Sequence, residues 1–317
     1  MTLPLAFVFP GQGSQAVGML AELAAGNVIV EQTFAEASNV LGFDLWQLTT
    51  TGPEEALNAT ANTQPALLVA SVAVWRAWQA ANGSQPMVLA GHSLGEYSAL
   101  VCAEVLSFVD AVRLVRRRGE SMQQAAPQGI GAMAAILGLE DDVIVDCCRQ
   151  AAALGVVAPA NFNSPGQVVI AGARDAVDQA MALCKAAGAK RAMRLAVSVP
   201  SHCALMRPAA DQLAVALAEV RIQPPRIPVL HNVDAQPARD PDAIRAKLIA
   251  QLYEPVQWTR TIEAMRGIGV SRLIECGPGR VLAGLVRHID RGLSIESVST
   301  PTTLQAGLRH AAGVAGS

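Results

Sequence analysis

One stretch of the sequence combines a serine with the neighbours that nucleophilic catalysis requires: Gly91-His92-Ser93-Leu94-Gly95-Glu96. A G-x-S-x-G pattern between a strand and a helix is typical of a nucleophile elbow, in which a sharp turn exposes the serine hydroxyl. The two glycines permit that turn because they have no Cβ. A short apolar run at 87–90 precedes the motif, and a helical pattern at 97–106 follows it. The motif therefore predicts that Ser93 is a nucleophile.

A serine nucleophile needs a general base, and histidine is the usual one. His202 is favoured because it follows a predicted strand at a predicted domain junction, a common place for substrate sites. His231, also in a loop, remains the alternative. The order of serine before histidine is that of α/β hydrolases, in which an acidic residue normally lies between them. No Asp or Glu between Ser93 and His202 stands out as that third member.

A helical pattern at 108–124, behind an N-cap at Ser107, contains three consecutive arginines. Arg116 and Arg117 fall on its polar side, whereas Arg118 falls on the apolar side. A buried guanidinium keeps its charge and therefore needs an anionic partner. That partner can be an internal Asp or Glu, or a substrate carboxylate, which fits the guanidinium fork. The sequence leaves both possibilities open.

The first predicted strand, at 5–9, leads into a glycine-rich loop with the sequence Pro10-Gly11-Gln12-Gly13-Ser14-Gln15. The loop lacks the lysine of a P-loop and the full G-x-G-x-x-G pattern, which disfavours phosphate binding. A backbone N–H flanked by glycine can approach a substrate oxygen closely. The alternative interpretation is a tight turn without a function.

A small inserted domain is predicted at 129–197. Its elements alternate in the order βαββαβ, with strands at 132–137, 156–160, 168–171 and 191–197, helices at 140–154 and 175–187, and a turn at 161–166. This order over about 70 residues is that of a ferredoxin-like domain. Residues 1–128 and 198–317 then form the larger catalytic domain. Helical periodicity within the larger domain predicts helices at 19–41 and 65–81, the second with Pro65 in its first turn.

The composition is that of a globular protein. A chain of 317 residues with 51% hydrophobic content can bury a large core. With 16% charged residues and a net charge of −2, we expect neither nucleic acid nor a membrane as a partner. No apolar run has the length of a membrane span and no basic signal-peptide start is seen, so we expect a cytoplasmic protein. The six cysteines lack C-x-x-C spacing and are expected to be reduced, without a metal site.

Six short motifs, taken together, resemble those of the malonyl-CoA:acyl carrier protein transacylases of type II fatty acid synthesis. They span essentially the whole chain in the family's order and spacing: FPGQGSQ at 9–15, TQPA at 63–66, GHSLGE at 91–96, NFNSPG at 161–166, PSH at 200–202 and GPG at 277–279. The resemblance implies an α/β-hydrolase-like large domain with an inserted ferredoxin-like small domain. It also implies malonyl-CoA as substrate, acyl carrier protein as partner, and no cofactor.

The resemblance further implies a role for each site residue. Ser93 is expected to be the nucleophile and His202 its base. The backbone N–H groups of Gln12 and Leu94 are expected to form the oxyanion hole. Arg118 is expected to bind the free carboxylate of the malonyl group.

In this family a main-chain carbonyl orients the histidine in place of Asp or Glu, and Gln251 occupies the matching position. The implied reaction passes a malonyl group through a malonyl-serine to the phosphopantetheine thiol of the carrier. Malonyl transfer in a polyketide or malonate decarboxylase system is an alternative, as is a serine thioesterase or other hydrolase. A scaffold for carrier proteins without catalysis would leave the elbow unexplained.

Overall fold

The structure, a computed structural model, describes residues 4–126, 129–196 and 199–313. The strands are β1 (Leu5–Phe9), β2 (Val88–Gly91), β3 (Gly131–Leu137), β4 (Val157–Ser164), β5 (Gln167–Ala173), β6 (Arg191–Arg194), β7 (Val229–Leu230), β8 (Arg272–Cys276) and β9 (Ser294–Val298). The α-helices are α1 (Ala21–Ala25), α2 (Val28–Leu41), α3 (Leu45–Thr51), α4 (Glu54–Asn58), α5 (Thr60–Ala80), α6 (Gly95–Cys102), α7 (Phe108–Ala125), α8 (Asp141–Ala151), α9 (Arg174–Ala186), α10 (Arg207–Ala218), α11 (Pro241–Ala250), α12 (Trp258–Gly267), α13 (Val281–Ile289) and α14 (Pro301–Ala312).

The larger sheet is parallel and has the strand order β7-β2-β1-β8-β9. Its central strands β1 and β2 are buried along their whole length, which explains their apolar composition. They run side by side with Phe9 opposite Gly91. Parallel neighbours end at the same edge of a sheet, so the loop after β1 and the serine turn after β2 are adjacent.

The smaller sheet is antiparallel and has the strand order β4-β5-β3-β6. Helices α8 and α9 complete the βαββαβ order, and the apolar side chains between them and the sheet form a separate core. The predicted fold class, an α/β-hydrolase-like domain with a ferredoxin-like domain, is therefore confirmed. Residues 128, 197 and 198, at the predicted boundaries, lie outside the described residues, and the division at those positions stays a prediction.

The predicted turn at 161–166 is wrong for most of its length. Strand β4 continues to Ser164 and pairs with β5 to that point. The loop that contains Val256 stabilises this extension: the Phe162 N–H donates to the Val256 carbonyl, and the Val256 N–H donates to the Ala160 carbonyl, both at 2.9 Å. Asn and Ser are turn formers by local preference, but here backbone pairing on both sides outweighs that preference.

Helix α5 begins at Thr60, five residues before the predicted start, so Pro65 lies inside the helix instead of in its first turn. A proline there has no N–H for the carbonyl of Ala61, one turn earlier. That carbonyl accepts a hydrogen bond from Nη1 of Arg116 at 3.2 Å instead. The predicted helix at 19–41 is also divided, into α1 and α2, with Asn27 as the N-cap of α2.

All six cysteines are buried free thiols, as predicted, and burial raises the pKa of Cys203 to about 11. Among the helices of the described ranges, none has the length and apolar character needed to cross a membrane. The same ranges contain no group of three or more His, Cys, Asp or Glu side chains arranged to hold a metal ion.

Close packing of α7 against α5 yields a stability prediction. A Cβ on Gly119 in α7 would lie 2.7 Å from the Cα of Ala61, which is backbone and cannot move aside cheaply. We expect Gly119→Ala to lower the free energy of unfolding by about 1–3 kcal/mol in urea titrations. Gly284→Ala in α13 is the control, because its Cβ would meet nothing and alanine is the better helix former. Equal stability of the two variants would contradict the prediction.

Candidate active site

Ser93 lies at the sharp turn between β2 and α6 and has a φ of 52°, a left-handed conformation that is unfavourable for serine. Both flanking positions require glycine, because a Cβ at either one would overlap backbone atoms. A Cβ on Gly91 would lie 1.8 Å from the carbonyl carbon of Gly95, and one on Gly95 would lie 2.0 Å from the carbonyl oxygen of Phe9. The predicted strand, turn and helix of the elbow are confirmed.

Asn232, in the loop after β7, stabilises this strained turn. Its Oδ1 accepts a hydrogen bond from the Ser93 N–H at 2.7 Å, and its Nδ2 donates to the Gly91 carbonyl at 2.6 Å. One buried amide therefore satisfies backbone groups on both sides of His92. No sequence pattern predicts this role for Asn232, whose only signal is its place in a loop beside His231.

His202 lies next to Ser93, with its Nε2 2.8 Å from the serine Oγ. Its Nδ1 is 2.7 Å from the main-chain carbonyl oxygen of Gln251. Because a carbonyl only accepts, Nδ1 carries the hydrogen and the lone pair of Nε2 faces the serine hydroxyl. The alternative base, His231, instead has its Nδ1 2.6 Å from Oε1 of Glu96. The geometry therefore places His202, and not His231, in position to accept the Ser93 proton.

The pKa of His202 is lowered to about 3. Burial is the largest cause, and the positive charge of Arg118 lowers the pKa further, whereas the hydrogen bond to the Gln251 carbonyl raises it. His202 is therefore neutral at neutral pH and able to accept a proton.

Arg118 is fully buried, which confirms the predicted inward orientation. Nη1 donates to Oε1 of Gln64 at 2.8 Å, and Nη2 donates to Oε1 of Gln251 at 3.0 Å. Nη2 also lies 3.5 Å from the Oγ of Ser93. Within the described ranges no Asp or Glu forms an ion pair with Arg118, so the internal salt bridge considered above is not found there. The buried guanidinium therefore lies beside Ser93, the predicted nucleophile, without a carboxylate partner in the described ranges.

Gln12 and Leu94 lie on the two loops that meet at the edge of the large sheet. Leu94 precedes the first turn of α6, where backbone N–H groups point away from the helix and its dipole is positive. Neither the Gln12 nor the Leu94 N–H donates to any acceptor in the described parts of the chain. The position of these two groups beside Ser93 suits an oxyanion hole, a role that stays a prediction.

Ser93 lines a cavity of about 490 Å³, and residues of both domains form its walls. The large domain contributes Gln12, Ser93 and His202, and the small sheet contributes Asn161 and Asn163. Oδ1 of Asn163 also lies 2.8 Å from Nε2 of His92, so a hydrogen bond joins the two domains beside Ser93.

The chain matches the acyl transferase domain family over residues 6–302. It is 60% identical over 303 residues to the malonyl CoA-acyl carrier protein transacylase of Escherichia coli K12, covering 96% of this chain and 98% of the relative. The corresponding protein of Salmonella typhimurium is 59% identical with the same coverage.

Solved structures agree with these sequence matches. An acyl carrier protein S-malonyltransferase from Vibrio cholerae is 60% identical and superposes with a TM-score of 0.94, covering 96% of this chain and 99% of the other. A malonyl-transacylase solved in complex with a holo acyl carrier protein of a type II polyketide synthase is 57% identical, with a TM-score of 0.95 and the same coverage. Family match, identity and fold therefore lead to one conclusion: the chain is a member of the malonyl CoA-acyl carrier protein transacylase family.

Proposed function

We propose that the protein transfers a malonyl group from malonyl-CoA to the phosphopantetheine thiol of an acyl carrier protein. The observation that carries this proposal is Arg118, a buried guanidinium without a carboxylate partner in the described chain, 3.5 Å from the Oγ of Ser93. In a malonyl thioester one CH₂ separates the reacting carbonyl from the carboxylate. A carboxylate held at Arg118 therefore brings that carbonyl to the nucleophile.

In the first half-reaction His202 accepts the Ser93 proton at Nε2 while Oγ attacks the thioester carbonyl carbon. The N–H groups of Gln12 and Leu94 stabilise the oxyanion of the tetrahedral intermediate. The carbon–sulfur bond then breaks, and coenzyme A leaves as a thiol after taking the proton from His202. The product is a malonyl ester of Ser93.

In the second half-reaction the thiol of the carrier gives its proton to His202 and attacks the ester carbonyl. The carbon–oxygen bond to Ser93 breaks, and the serine oxygen recovers the proton from His202. Gln251 keeps the imidazole oriented throughout, through the carbonyl that accepts from Nδ1 at 2.7 Å.

Substrate binding also changes the pKa of His202. The charge of Arg118 lowers the pKa of His202 in the free protein. A malonyl carboxylate on the guanidinium offsets that charge, so His202 becomes more basic when the correct acyl group is present. Acetyl-CoA lacks the carboxylate and produces no such change.

Two pathways use carriers of this kind. The similarity to the Escherichia coli transacylase supports fatty acid synthesis. The complex of a similar transacylase with a polyketide carrier favours polyketide synthesis as a second candidate. Transfer within a malonate decarboxylase, and hydrolysis by a thioesterase, have no comparable support. We further propose that the protein acts in the cytoplasm and that its chemistry needs no cofactor, since Ser93 and His202 supply the nucleophile and the base.

Labelling tests the covalent step. We expect radiolabelled malonyl-CoA to attach malonate to the wild-type protein, and acyl carrier protein to remove the label. Ser93→Ala should show no label, because the ester cannot form. Peptide mapping by mass spectrometry would locate the adduct. Release of free malonate at the same rate without carrier would indicate a hydrolase instead.

Arg118→Ala tests the carboxylate receptor. A lost charge-assisted hydrogen bond costs about 1.5–3 kcal/mol, so we expect acylation by malonyl-CoA to slow about 10- to 100-fold relative to acetyl-CoA. Arg117→Ala is the matched control, because its guanidinium is exposed and pairs with Glu219 at 3.3 Å. An equal loss with both thioesters would argue against a carboxylate receptor.

The low pKa of His202 predicts an unusual pH profile. Because the neutral imidazole is the active form, a lowered pKa moves the acidic limb of the acylation rate to lower pH. With acetyl-CoA we expect a constant rate from pH 8 to about pH 5, where an ordinary histidine would be protonated. In Arg118→Ala the limb should move to higher pH. A fall in the wild-type acylation rate near pH 6.5, with the fold shown to be intact by circular dichroism, would contradict the predicted profile.

A further inference from the structure

Glu96 is a buried carboxylate to which the acyl-transfer steps assign no role. It lies three residues after Ser93 in the first turn of α6 and is fully buried. Its Oε2 accepts hydrogen bonds from Nε2 of Gln251 at 2.8 Å and from the N–H of Asn232 at 3.0 Å. Its Oε1 lies 2.6 Å from Nδ1 of His231. Glu96 therefore connects the nucleophile helix to the two segments that hold the elbow and orient His202.

The side chain of Gln251 lies between Glu96 and Arg118. Its Nε2 donates to Oε2 of Glu96 and to the carbonyl oxygen of Ser93, the latter at 3.0 Å. With the amide nitrogen on that side, Oε1 faces Nη2 of Arg118 at 3.0 Å. A guanidinium has only donors, so the opposite amide orientation would place an NH₂ group against it. Glu96 and the Ser93 carbonyl therefore fix together the amide orientation in which Gln251 binds Arg118.

The spacing of the charges is as important as their sign. A carboxylate in direct contact with Arg118 would satisfy the guanidinium and compete with the carboxylate of a substrate. The neutral Gln251 amide separates the two charges. Burial lowers the pKa of Arg118, whereas the neighbouring Tyr97 and Glu96 raise it. Glu96 thus offsets the buried positive charge without occupying the guanidinium, which stays able to bind a substrate carboxylate.

We propose that Glu96 is a positioning residue that sets the acyl-group selectivity of the site by fixing the Gln251 amide and, through it, Arg118. This inference rests on the proposed malonyl transfer. Without the negative charge of Glu96 the hydrogen bond from Nε2 of Gln251 is weaker, and the amide holds Arg118 beside Ser93 less firmly. Acetyl groups do not use Arg118, and His202 binds the main-chain carbonyl of Gln251, so acetyl transfer should be affected much less.

Glu96→Gln tests the proposal. Acylation of Ser93 is measured with malonyl-CoA and with acetyl-CoA, and we expect the malonyl-to-acetyl rate ratio to fall about tenfold or more. Glu275→Gln is the matched control. Glu275 is also fully buried, but it accepts from the N–H groups of Leu282 and Ala283 and has no contact with Arg118. This control should melt at a lower temperature with an unchanged ratio.

Gln251→Met provides a second test that does not depend on how well Glu96→Gln folds. It removes the amide but retains the main-chain carbonyl that binds His202, and it should lower the ratio similarly. In an Arg118→Ala background, Glu96→Gln should cause no further fall in the ratio. An unchanged ratio in both single variants, an equal loss with both thioesters, or a further fall in the double variant overturns the role of Glu96. Failure of malonyl-CoA to acylate the wild-type protein would instead refute the proposed function.

Discussion

The site depends on a positive charge that is buried without a direct negative partner in the described chain. Arg118 has no access to water, and burial of an unpaired guanidinium is costly. The oxygens of Gln64 and Gln251 bind it, and Glu96 provides a more distant charge. A nearer carboxylate would lower the cost of burying Arg118, but it would also occupy the guanidinium that we propose binds the malonyl carboxylate.

The reacting residues are held by backbone geometry as much as by side chains. Ser93 and His202 both have left-handed backbones, with φ of 52° and 61°. Each is held by a hydrogen bond from its own N–H: Ser93 to Asn232, and His202 to the Leu252 carbonyl at 3.0 Å. Strain of this kind persists only where surrounding contacts determine the conformation. The loops after β7 and α11 provide those contacts.

Local patterns in the sequence were enough to predict the elbow at Ser93, the inward-facing Arg118 and the βαββαβ order of the small domain. Each depends on residues close together in the chain, where periodicity, glycine spacing and caps act directly. Gln251 was found only through the family resemblance, because a main-chain carbonyl carries no residue-type signal.

The contacts that sequence patterns did not reveal join residues that lie far apart in the chain. Asn232 meets Ser93 across 139 residues, and Gln251 meets Glu96 across 155. Gln64 is buried in an apolar helix, where a polar side chain signals a partner but not which one. Pro65 shows the same limit, because the Ala61 carbonyl that it leaves without a helical donor is bound by an arginine of α7.

The backbone bonds between β4 and Val256 have a mechanical consequence. They tie the edge of the small sheet to the segment that follows Gln251, five residues after the carbonyl that orients His202. The two sheets therefore cannot move apart unless these backbone hydrogen bonds break. If the bonds hold, the segment that contains Gln251 moves with β4 and shifts His202 away from Ser93. An acyl group must therefore reach Ser93 through the cavity as it stands, because widening the cleft would also displace His202.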